Sequence, residues 1–131
     1  MKRLSMLRVI AAVSGTYDFA LGLVMLFLRD ELVRGFGVPA PTPPIHADLN
    51  GVFLLAVGLG YLLPYRSPER YRGYLWVMGP GLKGAGALTF VLDHVMRHSP
   101  GSFLVFAAGD GTLAAVTLVA LLATARRDIS Q

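Results

Sequence analysis

The chain has 131 residues, of which 54% are hydrophobic and 15% charged, and it carries a net charge of +4. Soluble domains carry about 25% charged residues, so a mean hydropathy of +0.57 excludes an ordinary water-soluble globule. Cysteine is absent, which excludes disulfides, thiolate metal sites and thiol redox chemistry; the basic residues form no cluster on a soluble surface, so a pI near 9.9 does not point to nucleic acid.

The apolar residues fall in four blocks, Val9–Leu28, Ala47–Leu63, Leu75–His94 and Phe103–Thr124. Each is about 17–22 residues long, which at about 1.5 Å per residue crosses a hydrocarbon core of about 30 Å. The expected fold is an all-α integral membrane four-helix bundle forming a single domain. Before the first block, Lys2, Arg3 and Arg8 resemble the basic end of a signal peptide. Asp18 interrupts the apolar run, however, and Arg29-Asp30-Glu31-Leu32 stands where a small-residue cleavage site belongs. The block is expected to stay as a membrane helix.

The first connection, "RDELVRGFGVPAPTPPIH", is the longest. Pro39, Pro41, Pro43 and Pro44 forbid a continuous helix and favour extended structure. Ahead of them Leu32, Val33, Phe36 and Val38, set among charges, suit the outer membrane interface. The second and third connections, "PYRSPERYRG" and "RHSPG", are short, so consecutive helices are expected to be antiparallel neighbours in an up-down-up-down order. Lys2, Arg3, Arg8, Arg66, Arg70, Arg72, Arg126 and Arg127 flank the N-terminus, second connection and C-terminus, against Arg29, Arg34 and Arg97 in the other two. The positive-inside rule then places both termini in the cytoplasm, in a bacterial-type inner (plasma) membrane. Tyr61, Tyr65, Tyr71, Tyr74 and Trp76 surround the second connection as an aromatic belt at the inner interface would.

A faint internal repeat aligns "LNGVFLLAVGL" with "GDGTLAAVTLV", and "DFALGLVMLFL" with "KGAGALTFVLD". It describes a parallel repeat of two helical hairpins about an axis along the membrane normal, and it sets Asp18 opposite Lys83.

Ionisable residues inside the blocks are the main functional signal. By residue counting, Asp18 and Lys83 lie about 14 and 12 Å from the inner boundary, and Asp110 about 10 Å from the outer one. A charge at the bilayer centre costs at least about 2.5–3.5 kcal/mol, so these groups are expected to face the bundle interior. Gly15 and Gly22 share the face of Asp18, as Gly79, Gly86 and Ala87 share that of Lys83; small residues of this kind let helix backbones approach closely in lipid. Lys83 is expected to pair with Asp18, with Asp110 as a second partner. Such a pair can serve only to fix helix register. Yet two carboxylates and one ammonium leave one acid unmatched, to carry a proton or to bind something. Asp18, Lys83, Asp110 and the nearby Asn50 therefore form a candidate proton-relay or ligand site. A second constellation comprises His46, His94 and His98: His94 and His98 stand at i, i+4 spacing, suited to a metal, and His46 with His94 to axial haem ligation. The alternative is that these histidines are simply solvated at the interface.

With the "GLKGAG", "DLNGVFLLAVGLGY" and "GDG" stretches in view, the chain resembles the DoxX-like group of small bacterial four-helix membrane proteins, and other small bacterial proteins with a glycine-flanked lysine in the third helix. The resemblance implies a subunit of a membrane redox assembly; it assigns no residue roles. No serine–histidine pair, phosphate loop or cofactor fingerprint is visible, so no enzyme activity and no resident cofactor are expected. The leading expectation is a non-enzymatic membrane protein whose charge cluster relays protons or binds a small ion or polar ligand. The alternatives are an accessory structural subunit of a larger membrane complex, and a haem- or quinone-associated redox subunit. Expected partners are the lipid bilayer and a homo-oligomer or larger membrane complex.

Overall fold

A computed structural model of the chain describes residues 2–125. Arg126 and Arg127, part of the basic flank invoked above, lie outside the described residues. The described chain is helical, with no strand among its residues: α1 (Lys2–Phe27), α2 (Arg29–Phe36), α3 (Ile45–Gly60), α4 (Leu62–Arg66), α5 (Arg72–Trp76), a π-helical segment (Val77–Lys83), α6 (Gly84–Arg97), a 3-10 turn (Gly101–Phe103) and α7 (Leu104–Ala125). These combine into four long helices, Lys2–Phe27, Ile45–Arg66, Arg72–Arg97 and Gly101–Ala125, each long and apolar enough to cross a membrane. The four apolar blocks lie within them, apart from Leu28, which stands at the junction between α1 and α2.

Both breaks within the long helices have the same cause. A proline ring collides with the carbonyl four residues earlier and offers no N–H to it. Pro64 acts in this way on Gly60, where α3 ends, and Pro80 on Trp76, where α5 gives way to the wider π turn. Below the first of these breaks the Tyr61 N–H is shared between the Val57 and Gly58 carbonyls, at 3.3 and 3.2 Å.

The first and second long helices meet along a glycine seam. A Cβ on Gly58 would lie 2.8 Å from the Gly15 carbonyl oxygen, and one on Gly22 would lie 2.8 Å from that of Gly51. Two glycines seven residues apart on each helix thus bring the backbones into direct contact. The fourth long helix packs on the third and also on the first, whereas the second and third meet chiefly where α4 approaches α5. At that same end the apolar core is assembled from Leu7, Ile10, Ala11, Val57, Tyr61, Leu75, Ala120 and Leu121. Arg72 donates to the Leu121 carbonyl at 2.5 Å and Arg3 to that of Ala123, tying the third and first long helices to the last turns of α7.

The exterior is rich in apolar side chains, with Phe27, Met96, Val119 and Val105 all more than 60% exposed. The buried set includes Ser14, Asp18, Lys83 and Thr117. Buried charges inside a coat this apolar depart from the arrangement of a soluble protein.

The connection after α1 departs from its expected form. Its first half is the helix α2, terminated by Gly37 in the left-handed conformation (φ 66°). The Gly37 N–H bonds the Arg34 carbonyl and the Val38 N–H that of Val33, the paired bonds of a Schellman cap. Leu32, Val33, Phe36 and Val38 turn towards the bundle and line a cavity. Phe36 is held by the rings of Phe103 and Phe106, at centroid distances of 5.8 and 5.2 Å. Ser102 Oγ donates to the Phe36 carbonyl at 3.0 Å.

Candidate functional site

Lys83 closes the π-helical segment. A π turn holds one more residue than an α turn, so side chains beyond it are rotated by about 100° from where an unbroken helix would aim them. Lys83, at the end of the segment, is buried in the bundle interior. The neighbouring Gly79 makes room for the fourth long helix: a Cβ there would come within 2.6 Å of the Thr117 methyl group. Glycine at this place therefore serves close helix packing.

The ammonium of Lys83 lies 2.5 Å from Asp18 Oδ1 and 3.9 Å from Asp110 Oδ1. It also stands 5.2 Å from the centre of the Tyr17 ring and 5.9 Å from that of Tyr61, within cation–π range of both. Lys83 and Asp18 are each 3% exposed at the side chain, Asp110 20%. The two acids thus differ in kind. Asp18 is sealed against the ammonium, whereas Asp110 touches the ammonium more loosely and reaches open space. Asp18 Oδ2, Ser14 Oγ and the Tyr61 hydroxyl are buried without a hydrogen-bond partner among the described residues. Ser14 stands one helical turn before Asp18 on α1, so unmatched polar atoms continue from the triad towards the apolar core. There they stop, at Leu7, Ile10, Leu75 and Leu121, all buried.

On the other side of the triad, Asp110 and Asn50 share the wall of a cavity of about 450 Å3 with Phe53, Phe90, Phe103 and Phe106. α2 and Pro39 cover this cavity. Arg29, at the start of α2, is tied to Asp48 near the start of α3 by an ion pair. Asn50 and Phe53 are at once exposed and part of the lining, which places the cavity mouth beside α3.

The structure thus brings Asp18, Lys83 and Asp110 together and sets Asn50 on the adjoining cavity, but the expected i, i+4 pairing of His94 with His98 does not form. α6 ends at Arg97, and His98 caps it in the left-handed conformation (φ 58°), so His94 and His98 do not share a helical face. His94 Nδ1 is 2.7 Å from the Ser99 carbonyl oxygen within the connecting turn, and His46 is exposed on the first turn of α3. Among the described residues no group of three histidine, cysteine or acidic side chains is disposed to hold a metal ion. Tyr61 also requires correction: it is 2% exposed inside the bundle and is no part of an interfacial belt. Its ring packs edge-on against Tyr74 at 5.2 Å, and the Tyr74 hydroxyl donates to the Val57 carbonyl at 2.5 Å. Tyr17 and Ser14 were not picked out from the sequence. The available signal was their position, one and four residues before Asp18 on the same helix.

Comparison with protein-family models, curated proteins and solved structures finds no match to this chain.

Proposed function

We propose that the chain is a non-enzymatic integral membrane protein whose Asp18–Lys83–Asp110 triad binds a small hydrogen-bond-donating ligand, cationic or polar, that arrives through the cavity beside Asp110. The observation that carries this reading is the double placement of Asp110, which faces Lys83 at 3.9 Å and the cavity at the same time. Two carboxylates against one ammonium favour the arrival of positive charge or of a donor group. A relay across the whole bundle would need a polar path out of both ends. The buried apolar residues beyond Ser14 and Tyr61 favour a site with one mouth instead.

Membrane insertion is supported by the apolar exterior and by the four long apolar helices. The seam that pairs Gly15 with Gly58 and Gly22 with Gly51 supports antiparallel neighbours and hence an up-down-up-down bundle. Under the positive-inside rule the α4–α5 connection and both termini lie in the cytoplasm, and the cavity opens in the outer half of a bacterial-type inner membrane.

The test uses methylammonium, a small cation that donates hydrogen bonds. Millimolar methylammonium should raise the melting temperature of the detergent-solubilised protein, whereas the same concentration of sodium chloride should not. Asp110→Asn should abolish the rise. An unchanged melting temperature for the wild type at saturating methylammonium would refute the reading.

A further inference from the structure

The cavity is built for more than a bare ion. Its volume of about 450 Å3 falls in the range of about 300–1,000 Å3 typical of small-molecule sites. Its wall is mainly apolar, and four of its five phenylalanines, all but Phe53, form one cluster. Phe90 lies 5.5 Å from Phe106 and 6.3 Å from Phe103, and Phe36 closes the group from α2. Polar groups enter at few points: Asp110 and Asn50 on the wall, and Arg29, whose charge is already engaged by Asp48. Arg29 therefore offers little to an incoming anion, whereas Asp110 presents a carboxylate only loosely held by Lys83.

The way in matches the same chemistry. The second and third long helices pack together mainly at their α4–α5 end, and the cavity lies between their other halves, with Asn50, Phe53 and Leu54 on one side and Phe90 on the other. Asn50 and Phe53 lie exposed along this opening. In a bilayer such a gap faces lipid, and a ligand that dissolves in the membrane reaches it by lateral diffusion. A rigid ring system suits the phenylalanine-lined wall, since aromatic rings packed edge-to-face or offset gain affinity beyond the area they bury. A protonated amine suits the floor, where it would hydrogen-bond Asp110 and relieve the unmatched negative charge of the triad.

We infer that the cavity is a binding site for a lipophilic aromatic amine, which enters from the bilayer between the second and third long helices and sets its ammonium against Asp110. This rests on the reading of the triad as a ligand site and names the class of ligand.

The experiment measures equilibrium binding to the full chain in zwitterionic lipid nanodiscs, with empty discs subtracted to remove partitioning. The probes are 1-naphthylmethylamine, its neutral isostere 1-naphthalenemethanol, and methylammonium. Wild-type protein should bind the naphthyl amine at least tenfold more tightly than the alcohol. It should also bind the naphthyl amine at least tenfold more tightly than methylammonium. Asp110→Asn should bring amine and alcohol to within about twofold of each other, and Phe106→Ala should weaken both naphthyl probes while leaving methylammonium unchanged. Equal affinity for amine and alcohol in the wild type, which needs no variant, would overturn the inference. If methylammonium binds in an Asp110-dependent manner but the naphthyl amine gains nothing over it, the ligand class falls and the triad reading stands. If none of the three probes binds, both fall.

Discussion

At the scale of the residue, Lys83 divides its attention unequally. Its ammonium has three N–H donors; Asp18 takes one at 2.5 Å in full burial, and Asp110 stands 3.9 Å away at the cavity edge. Removing one partner of a buried ion pair leaves an uncompensated charge and costs about 3–5 kcal/mol, whereas replacing both partners by apolar groups is often neutral. Lys83→Met should therefore lower the melting temperature clearly, and adding Asp18→Leu should recover most of that loss. Asp110→Asn should cost far less than Asp18→Asn, because Asp110 lies farther from the ammonium and keeps contact with open space. Thermal unfolding of the four variants in one detergent checks the order, and Lys83→Met as stable as wild type would show that the ammonium is solvated. The pairing of Asp18 with Lys83 was legible from the sequence, because membrane depth can be counted from helix ends and an isolated charge has few places to go. The roles of Tyr61 and Tyr17 were not. A tyrosine near a helix end reads as an interfacial anchor, and only the break at Gly60, imposed by Pro64, shows how Tyr61 comes to lie under the triad.

At the scale of the element, glycine and proline decide how the helices meet. A Cβ on Gly58 would fall 2.7 Å from the Phe19 backbone nitrogen and 2.8 Å from the Gly15 carbonyl oxygen. Neither is the end of a flexible side chain, so the helices must separate to admit it. Gly35, on α2, has nothing within 4 Å of the same position, and alanine there gains about 0.5–1 kcal/mol of helix propensity. The expected outcome is that Gly58→Ala is strongly destabilising and Gly35→Ala neutral to stabilising, as read by melting temperature. Equal effects at the two sites would contradict the glycine seam. The four long helices were legible because blocks of 17 or more predominantly apolar residues admit few other readings. α2 was hidden by its surroundings: eight residues between a membrane helix and four prolines carry too short a period to stand out. The outcome for the histidines has a similar origin, since i, i+4 spacing places two side chains on one face only while the helix continues, and Pro100 and the His98 cap end it first.

At the scale of the whole molecule, the parts compose a bundle closed at one end and open at the other. Leu7, Ile10, Leu75 and Leu121 seal the end near the α4–α5 connection, and the cavity under α2 opens the other half towards Asp110. The central claim is that the triad communicates with one side alone, and the cysteine-free sequence allows this to be read directly. Single cysteines at Pro39, which lines the cavity from the connection after α2, and at Ser14, below the triad, are exposed in turn to a membrane-impermeant methanethiosulfonate reagent, in intact cells and in inverted membrane vesicles. On the proposed orientation Pro39→Cys should react in intact cells and be protected in inverted vesicles, while Ser14→Cys should resist the reagent in both. Reaction of Ser14→Cys in inverted vesicles would reveal a polar path through the half of the bundle near the α4–α5 connection and contradict a site with one mouth. Reaction of Pro39→Cys in the vesicles but not in the cells would reverse the orientation.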